Sequence, residues 1–439
     1  MHELFVSWRA FDRAALGAVV LLASGVALAA CTDTPINECA PARLAPLART
    51  PSYAVVTGDY TATAIALLDA DGALLDEAWI DSGTTDVGLG ATLNGDVVLP
   101  SAPLRDGALT LIDRFVTDVV TRVPLSDPTH PVQAEVRASS ASRSWSPNPH
   151  DVAAHPSGNL VLTRFETNTH PDAPALDRGD DVVMLDLTSR AVVSRVDLAP
   201  LGVDVAGEHI AARPDGLARV GARYIAGLAR LSTNFMRAGP GAVALVDVDA
   251  GTASSVALDG LSFCGEVRAL DAPLAEPAPL AGEADVLVLC QGTTFVPEAL
   301  RSASAGLAVV RVPPAGDARV IRTWRASEHR DVGSPTNLVA SLDAGRVVFA
   351  ARGEASSGTT DRLVIVDLAS GESRTIYSSE LRFALLGGAY DASRALLLVP
   401  EGERGVHRFD VGDGFDVRPR DFVDASPCRR LLALQVGAL

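Results

Sequence analysis

The chain predicts an all-β fold, a seven-bladed β-propeller, on three observations. A short, largely apolar stretch ending in Asp recurs along the sequence. Tight turn signals and further short strands flank most copies. Amphipathic helical periodicity is nearly absent after the first 30 residues. Four short strands per unit, repeated seven times, are the pattern of a propeller.

The markers are Ile65–Asp69, Leu109–Asp113, Val182–Asp186, Val243–Asp247, Leu363–Asp367 and Val406–Asp410, with a degenerate copy, Leu307–Arg311, that lacks the Asp. Each is read as the third strand, C, of a four-strand unit A to D. The turns Asp71-Gly72, Ala250-Gly251 and Ser370-Gly371 follow three of them. The strand pair upstream is plainest in the third, sixth and seventh units: Asp151–His155 with Leu160–Arg164, Asn337–Leu342 with Arg346–Ala351, and Phe383–Tyr390 with Arg394–Val399. The first unit starts at Tyr53 with a B strand and lacks an A strand. The segment Arg430–Val436 is a strand with no unit of its own, so it is expected to fill that vacancy. Closure of this kind removes two exposed sheet edges.

The unit Asn148-Pro149-His150-Asp151-Val152-Ala153-Ala154-His155-Pro156-Ser157-Gly158-Asn159-Leu160-Val161-Leu162, with Val183-Met184-Leu185-Asp186 after it, resembles the YVTN-type propeller repeat. Where that family has Tyr-Val-Thr-Asn, this chain has Val161-Leu162-Thr163-Arg164. The resemblance implies a surface lipoprotein, and a weaker likeness extends to propeller lactonases.

The N-terminus fits export. Arg9 and Arg13 precede an apolar run, Ala14 to Ala30, too short to span a bilayer comfortably. Leu28-Ala29-Ala30-Cys31 resembles the lipobox of bacterial lipoproteins, with Cys31 as the lipidated residue; an ordinary cleaved signal is the alternative. Residues 1–30 are thus read as a signal peptide. Residues 31–52, with Pro35, Pro41, Pro46 and Pro51, are read as a semi-stiff tether, and 53–439 as the propeller. Thr32 follows Cys31, which favours the outer membrane or cell surface over inner-membrane retention, although Asp33 comes next.

Composition excludes several functions. All 37 basic residues of the 439 are arginine, so phosphate-loop, Schiff-base and Ser-Lys chemistries are out. A formal charge of −17 disfavours nucleic acid and anionic lipid surfaces. No G-x-S-x-G elbow, H-E-x-x-H or dinucleotide fingerprint is present. With Cys31 lipidated, four cysteines remain, an even number that suits disulfides in an exported protein. Cys39 precedes the first unit and Cys428 precedes the closing strand, and a bridge between them is expected to staple both termini. Cys264 and Cys290 are expected to pair across strands A and B of the fifth unit, in a register that sets Leu270 opposite Ala284.

In a propeller the A–B and C–D turns lie on one face and the B–C and D–A connections on the other. The second set contains the long segments: Ser126–Pro149, Phe165–Asp180, Leu231–Gly241, Gln291–Gly306 and Arg352–Asp361. Long loops on a rigid scaffold tend to carry function, with neutral insertion as the alternative. Residues at the mouths of the A strands are expected to ring the channel there: Asp86, His150, Asp151, Glu208, His209, Glu266 and Asn337. Such a ring suits a polar ligand or a cation, while turn capping is the plain alternative for His150 and Asp151. His130, His155, His170, His329 and His407 show no ligand spacing. The Asp residues after strand C (Asp69, Asp186, Asp367) are expected to hold turns.

No catalytic residue, cofactor or metal is assigned. The leading expectation is a lipid-anchored extracytoplasmic propeller that acts as a binding or scaffolding module through its long-loop face, taking a protein, a glycan or a small polar ligand. The alternative is a lactonase-like or other hydrolase with its site at the channel mouth.

Overall fold

The computed structural model describes residues 39–439, except 86, 87, 143, 294, 295, 297, 330, 331, 355, 356, 403, 404 and 430. The signal peptide and Cys31 lie outside the described residues.

Seven four-stranded antiparallel sheets are present, in the order that propeller blades require. Blade 1 takes its inner strand from the C-terminus: Leu432–Ala438 pairs with Tyr53–Gly58, followed by Thr63–Leu68 and Leu74–Asp81. Blade 2 is Val97–Val98, Ala108–Asp113, Val119–Pro124 and Val132–Glu135. Blade 3 is Pro149–Ala154, Leu160–Thr167, Gly179–Asp186 and Ala191–Asp197. Blade 4 is Pro214–Val220, Arg223–Leu228, Pro240–Asp247 and Thr252–Ser262. Blade 5 is Glu266–Ala269, Ala284–Cys290, Gly306–Val312 and Arg319–Arg325. Blade 6 is Ser334–Ser341, Arg346–Arg352, Arg362–Asp367 and Ser373–Ser378. Blade 7 is Ala389–Asp391, Leu396–Pro400, Val406–Val411 and Val417–Val423. The C-terminal strand therefore closes the ring as the sequence predicts.

The middle strands read as continuous apolar runs because each sheet is covered on both sides by neighbouring blades. Every residue of Thr63–Leu68 is buried, as is every residue of Gly306–Val312. The outer strands are more exposed, as in Thr252–Ser262, because one edge meets solvent. Adjacent blades share apolar layers: Leu289, Leu307 and Val309 of blade 5 pack with Phe349, Val364 and Val366 of blade 6. The Asp after strand C holds its turn, Asp69 accepting from the Asp71 and Ala73 amides at 3.0 and 2.9 Å.

Three details depart from the sequence reading. In blade 2 the marker Leu109–Asp113 is strand B, because the inner strand is only Val97–Val98. Asp113 therefore sits on the B–C side, buried, where it accepts from the Asn94 amide at 2.7 Å. The segment Ser126–Pro149 is not one loop; strand Val132–Glu135 divides it between the two faces. In blade 5, Glu266 faces Leu289 and Ala269 faces Val286, one residue off the expected register. Cys264 lies ahead of the inner strand, bridged to Leu228, and still forms the disulfide with Cys290 across a Cα separation of 3.9 Å. Cys39 and Cys428 are also disulfide-bonded.

Candidate functional site

The inner strands of blades 3, 4, 5 and 6 start on a shared pattern. Pro149, Pro214, Cys264 and Pro335 take the first position. His150, Asp215, Gly265 and Thr336 take the next, then Asp151, Gly216, Glu266 and Asn337. The preceding residue is held at positive φ in three blades, at Asn148, Arg213 and Phe263 (49°, 48° and 51°). These strands open on the B–C and D–A face, so their first polar residues converge on one end of the channel.

Asp151 ties three blades together. Its carboxylate accepts from Ser101 N at 2.9 Å and Ser101 Oγ at 2.5 Å in the blade 2 connection, and from Leu217 N of blade 4 at 2.7 Å. Burial pushes its carboxyl up. Gln435 of blade 1 does similar work, exchanging hydrogen bonds with Leu99 N and O at 2.7 and 3.2 Å. The Val152 amide donates to Asp151 as well, at 2.8 Å, so these structural ties leave Asp151 no free lone pair for a ligand.

His150 is placed differently. Its ring stacks on Phe165 at 4.3 Å with planes 7° apart. Nδ1 lies 2.6 Å from Asp215 Oδ1. Nε2, the other ring nitrogen, is buried and has no hydrogen-bond partner among the described residues. Behind Phe165, the Arg213 guanidinium lies 5.0 Å from the Phe165 ring and 4.3 Å from that of Phe235. The column fixes the imidazole plane.

Asp215 keeps 23% of its side-chain surface, so it lines the throat. Burial raises its carboxyl, but the His150 contact and the nearby Arg114 charge prevail and hold it below the usual range. Its Oδ2 abuts Gly265, where an added Cβ would lie 2.2 Å away. Gly265 in turn accepts the Gly216 amide at 2.9 Å, a main-chain bond between inner strands of adjacent blades. Any side chain at Gly265 would push Asp215 off the imidazole.

Glu266 follows. Its Oε2 accepts the Leu338 amide at 2.6 Å. The Asn337 amide, oriented to satisfy its neighbours, donates to Oε1 at 3.1 Å. Burial, with the Asp215 and Asp151 charges adding, pushes the Glu266 carboxyl up to about 8. Arg268, two residues on, donates through Nη2 to Ser101 O at 2.5 Å, while its buried Nε has no partner among the described residues. At the rim, Arg114 grips Asp96 through Nε and Nη2 at 3.1 and 2.5 Å and keeps 27% of its surface.

Of the seven residues expected at the mouth, His150, Asp151, Glu266 and Asn337 come together. Asp86 lies outside the described residues. Glu208 and His209 do not join: they sit on a separate two-stranded hairpin, Val203–Val205 with Glu208–Ile210, ahead of blade 4. There His209 pairs with Asp204 at 3.0 Å and Glu208 faces Arg237 at 3.5 Å. The inner strand of blade 4 begins instead at Pro214, so Asp215 takes the place given to them. Asp215, Arg114 and Arg268 were missed, though the repeated Pro at 149, 214 and 335 aligns Asp215 with His150. No three carboxylate or imidazole ligand atoms of the throat, among the described residues, lie within 4.8 Å of one another.

The face around the throat carries apolar side chains. Phe115, Val116, Met236 and Leu300, all in B–C connections, are among the large apolar residues that stay exposed.

No family model matches the chain, and no curated protein matches it. Solved structures do. A putative 6-phosphogluconolactonase from Bacteroides fragilis NCTC 9343 is 10% identical with a TM-score of 0.52, covering 90% of this chain and 100% of that one. The β-propeller domain of Cps50 (Swd1) from Myceliophteria thermophila is 14% identical with a TM-score of 0.51, covering 83% and 99%. A protein from Lactobacillus plantarum is 12% identical with a TM-score of 0.52, covering 89% and 100%. At these identities the likeness establishes the fold, a seven-bladed β-propeller, and nothing finer.

Proposed function

We propose that this chain is an extracytoplasmic β-propeller, held to the envelope by lipid on Cys31, that binds a small polar ligand in the throat of its B–C and D–A face. One observation carries the ligand reading: His150 is clamped between Phe165 and Asp215 while its Nε2 stays buried, with no partner among the described residues. An orphaned buried nitrogen costs about 1–3 kcal/mol, which a ligand or bound water recovers. Asp215, Glu266 and Arg114 supply further polar groups at the same end, and the apolar rim suits a ligand with a nonpolar side.

Melting curves of the purified protein against small hydroxy acids, dicarboxylates and sugars test the reading. A binder raises the wild-type melting temperature and leaves His150→Ala unmoved. Equal shifts in both proteins would rule out the throat. Anchoring is tested separately: Cys31→Ser should abolish metabolic labelling with a fatty acid, and retained label would rule out that residue. Outer-membrane or surface placement belongs to the same proposal and is read by fractionating the labelled cells.

A second reading, hydrolysis, is favoured by the contrast between Asp215, whose carboxyl lies below the usual range, and Glu266, whose carboxyl burial pushes up to about 8. Carboxyl groups driven apart in this way divide acid and base roles between them.

A further inference from the structure

We propose that the throat is a hydrolytic site in which His150 and Glu266 act as base and acid on a small carboxylic ester that also bears a free carboxylate. The inference rests on the ligand reading above and names what is bound and what becomes of it.

The geometry starts at Asp215. Its Oδ1 lies 2.6 Å from His150 Nδ1, and with Nδ1–H donating to the carboxylate a neutral imidazole would present its lone pair at Nε2. Its Oδ2 abuts the backbone of Gly265, the residue before Glu266. Asp215 therefore meets the imidazole through one oxygen and, through the other, the backbone that leads into Glu266, whose carboxyl its charge helps to raise. Asp151, one residue from His150, ties the blades without an imidazole.

The substrate class follows from the cations. Arg114 commits Nε and Nη2 to Asp96 and leaves Nη1 uncommitted among the described residues, at a partly exposed rim. A guanidinium edge there suits a carboxylate. Arg268 keeps its Nε–H without a partner among the described residues, beside Glu266, where negative charge on a carbonyl oxygen would develop.

The step balances as follows. His150 Nε2 takes a proton from water as the water oxygen bonds to the ester carbonyl carbon. The oxyanion forms beside Arg268 Nε–H. The bond from that carbon to the alkoxy oxygen breaks, and Glu266 gives its proton to the departing oxygen. One water is consumed, and one acid and one alcohol leave. The proton on His150 passes through solvent to Glu266, which restores both groups.

Two esters test the proposal. Monoethyl succinate releases ethanol, which needs a proton; mono-4-nitrophenyl succinate releases nitrophenolate, which does not. Glu266→Gln should slow the ethyl ester about 100-fold and the nitrophenyl ester by about tenfold or less. His150→Asn should slow both about 100-fold. A merely structural Glu266 would slow both esters equally, and that result overturns its role as acid. Calorimetric titration with succinate separates the two levels. Succinate binding with no hydrolysis of either ester overturns the catalytic proposal and leaves the ligand reading standing. No binding of succinate and no hydrolysis overturns this proposal alone, provided another ligand still shifts the wild-type melting curve through His150.

Discussion

Two of the carboxylate–imidazole pairs, Asp215–His150 in the throat and Glu401–His407 at the seam of blades 6 and 7, differ in what is left over. In the throat, Asp215 holds His150 by one nitrogen and the other has no partner among the described residues. Between blades 6 and 7, Glu401 and His407 are in contact through Nε2, and that same nitrogen also faces Tyr377 Oη at 3.2 Å. Glu401 is wholly buried and further accepts from Tyr377 Oη at 3.0 Å and from Ser379 Oγ. Burial would raise Glu401, but its three hydrogen-bond partners outweigh that and hold it below its ordinary range. The difference teaches how to read such pairs. Glu401 takes donors from blades 6 and 7 and so joins them, whereas the throat pair keeps a buried ring nitrogen for the proposed ligand.

The comparison breaks most sharply at Glu401. Glu401→Ala strands Ser379, Tyr377 and His407 in a dry seam, so unfolding by denaturant should show a loss of about 3–5 kcal/mol. Ligand shifts in the throat should be unchanged. Asp215→Asn should do the reverse, costing about 1 kcal/mol of stability while abolishing the His150-dependent ligand shift. If Asp215→Asn proves as damaging to stability as Glu401→Ala, the throat pair is a tie like the other.

The disulfide comes next. Cys264 and Cys290, 26 residues apart, close a loop over the Pro-rich segment 271–283. Replacing both by Ala should cost about 3.5 kcal/mol through the freed unfolded chain. Because Cys264 directly precedes Gly265, the same variant should also weaken the ligand shift, which removal of an outlying disulfide would not do.

The fold was legible because it is written locally and repeatedly: apolar runs ending in Asp, Gly turns, and a terminal strand with no partner. The site was half legible. His150, Glu266 and Asn337 stand at strand starts, where the repeat puts them. Asp215 was hidden because the hairpin Val203–Ile210 mimics a strand start a few residues early and drew attention to Glu208 and His209. Arg114 was hidden because the marker Leu109–Asp113 looks like a C strand, which would send Arg114 to the opposite face. Only the shortness of Val97–Val98 reverses that, and nothing in a two-residue strand announces itself in sequence. The register slip at Cys264 has a similar cause: opposed cysteines suggest a ladder pair, but this disulfide forms just outside the ladder.

The smallest predicted effect concerns pH, and it sharpens the contrast between the pairs. Burial raises five carboxyls on the B–C and D–A side of the molecule: Asp151, Glu266 to about 8, Asp113 to about 7, and Asp118 and Asp180 to about 6. Each holds a proton in the folded state that the unfolded chain has already released above the ordinary carboxyl range. Folding therefore takes up protons in that window, and stability must fall as pH rises through it, by at most about 1.4 kcal/mol per pH unit for each group. Glu401 contributes the opposite sign, since its depressed carboxyl costs stability only when acid protonates it. The melting temperature should then be higher near pH 5 than near pH 8. Glu266→Gln should flatten the upper part of that slope, between about pH 6 and 8, because glutamine stays neutral throughout. A slope identical in the variant would mean that Glu266 is ionised in the folded protein, and an ionised Glu266 has no proton to give.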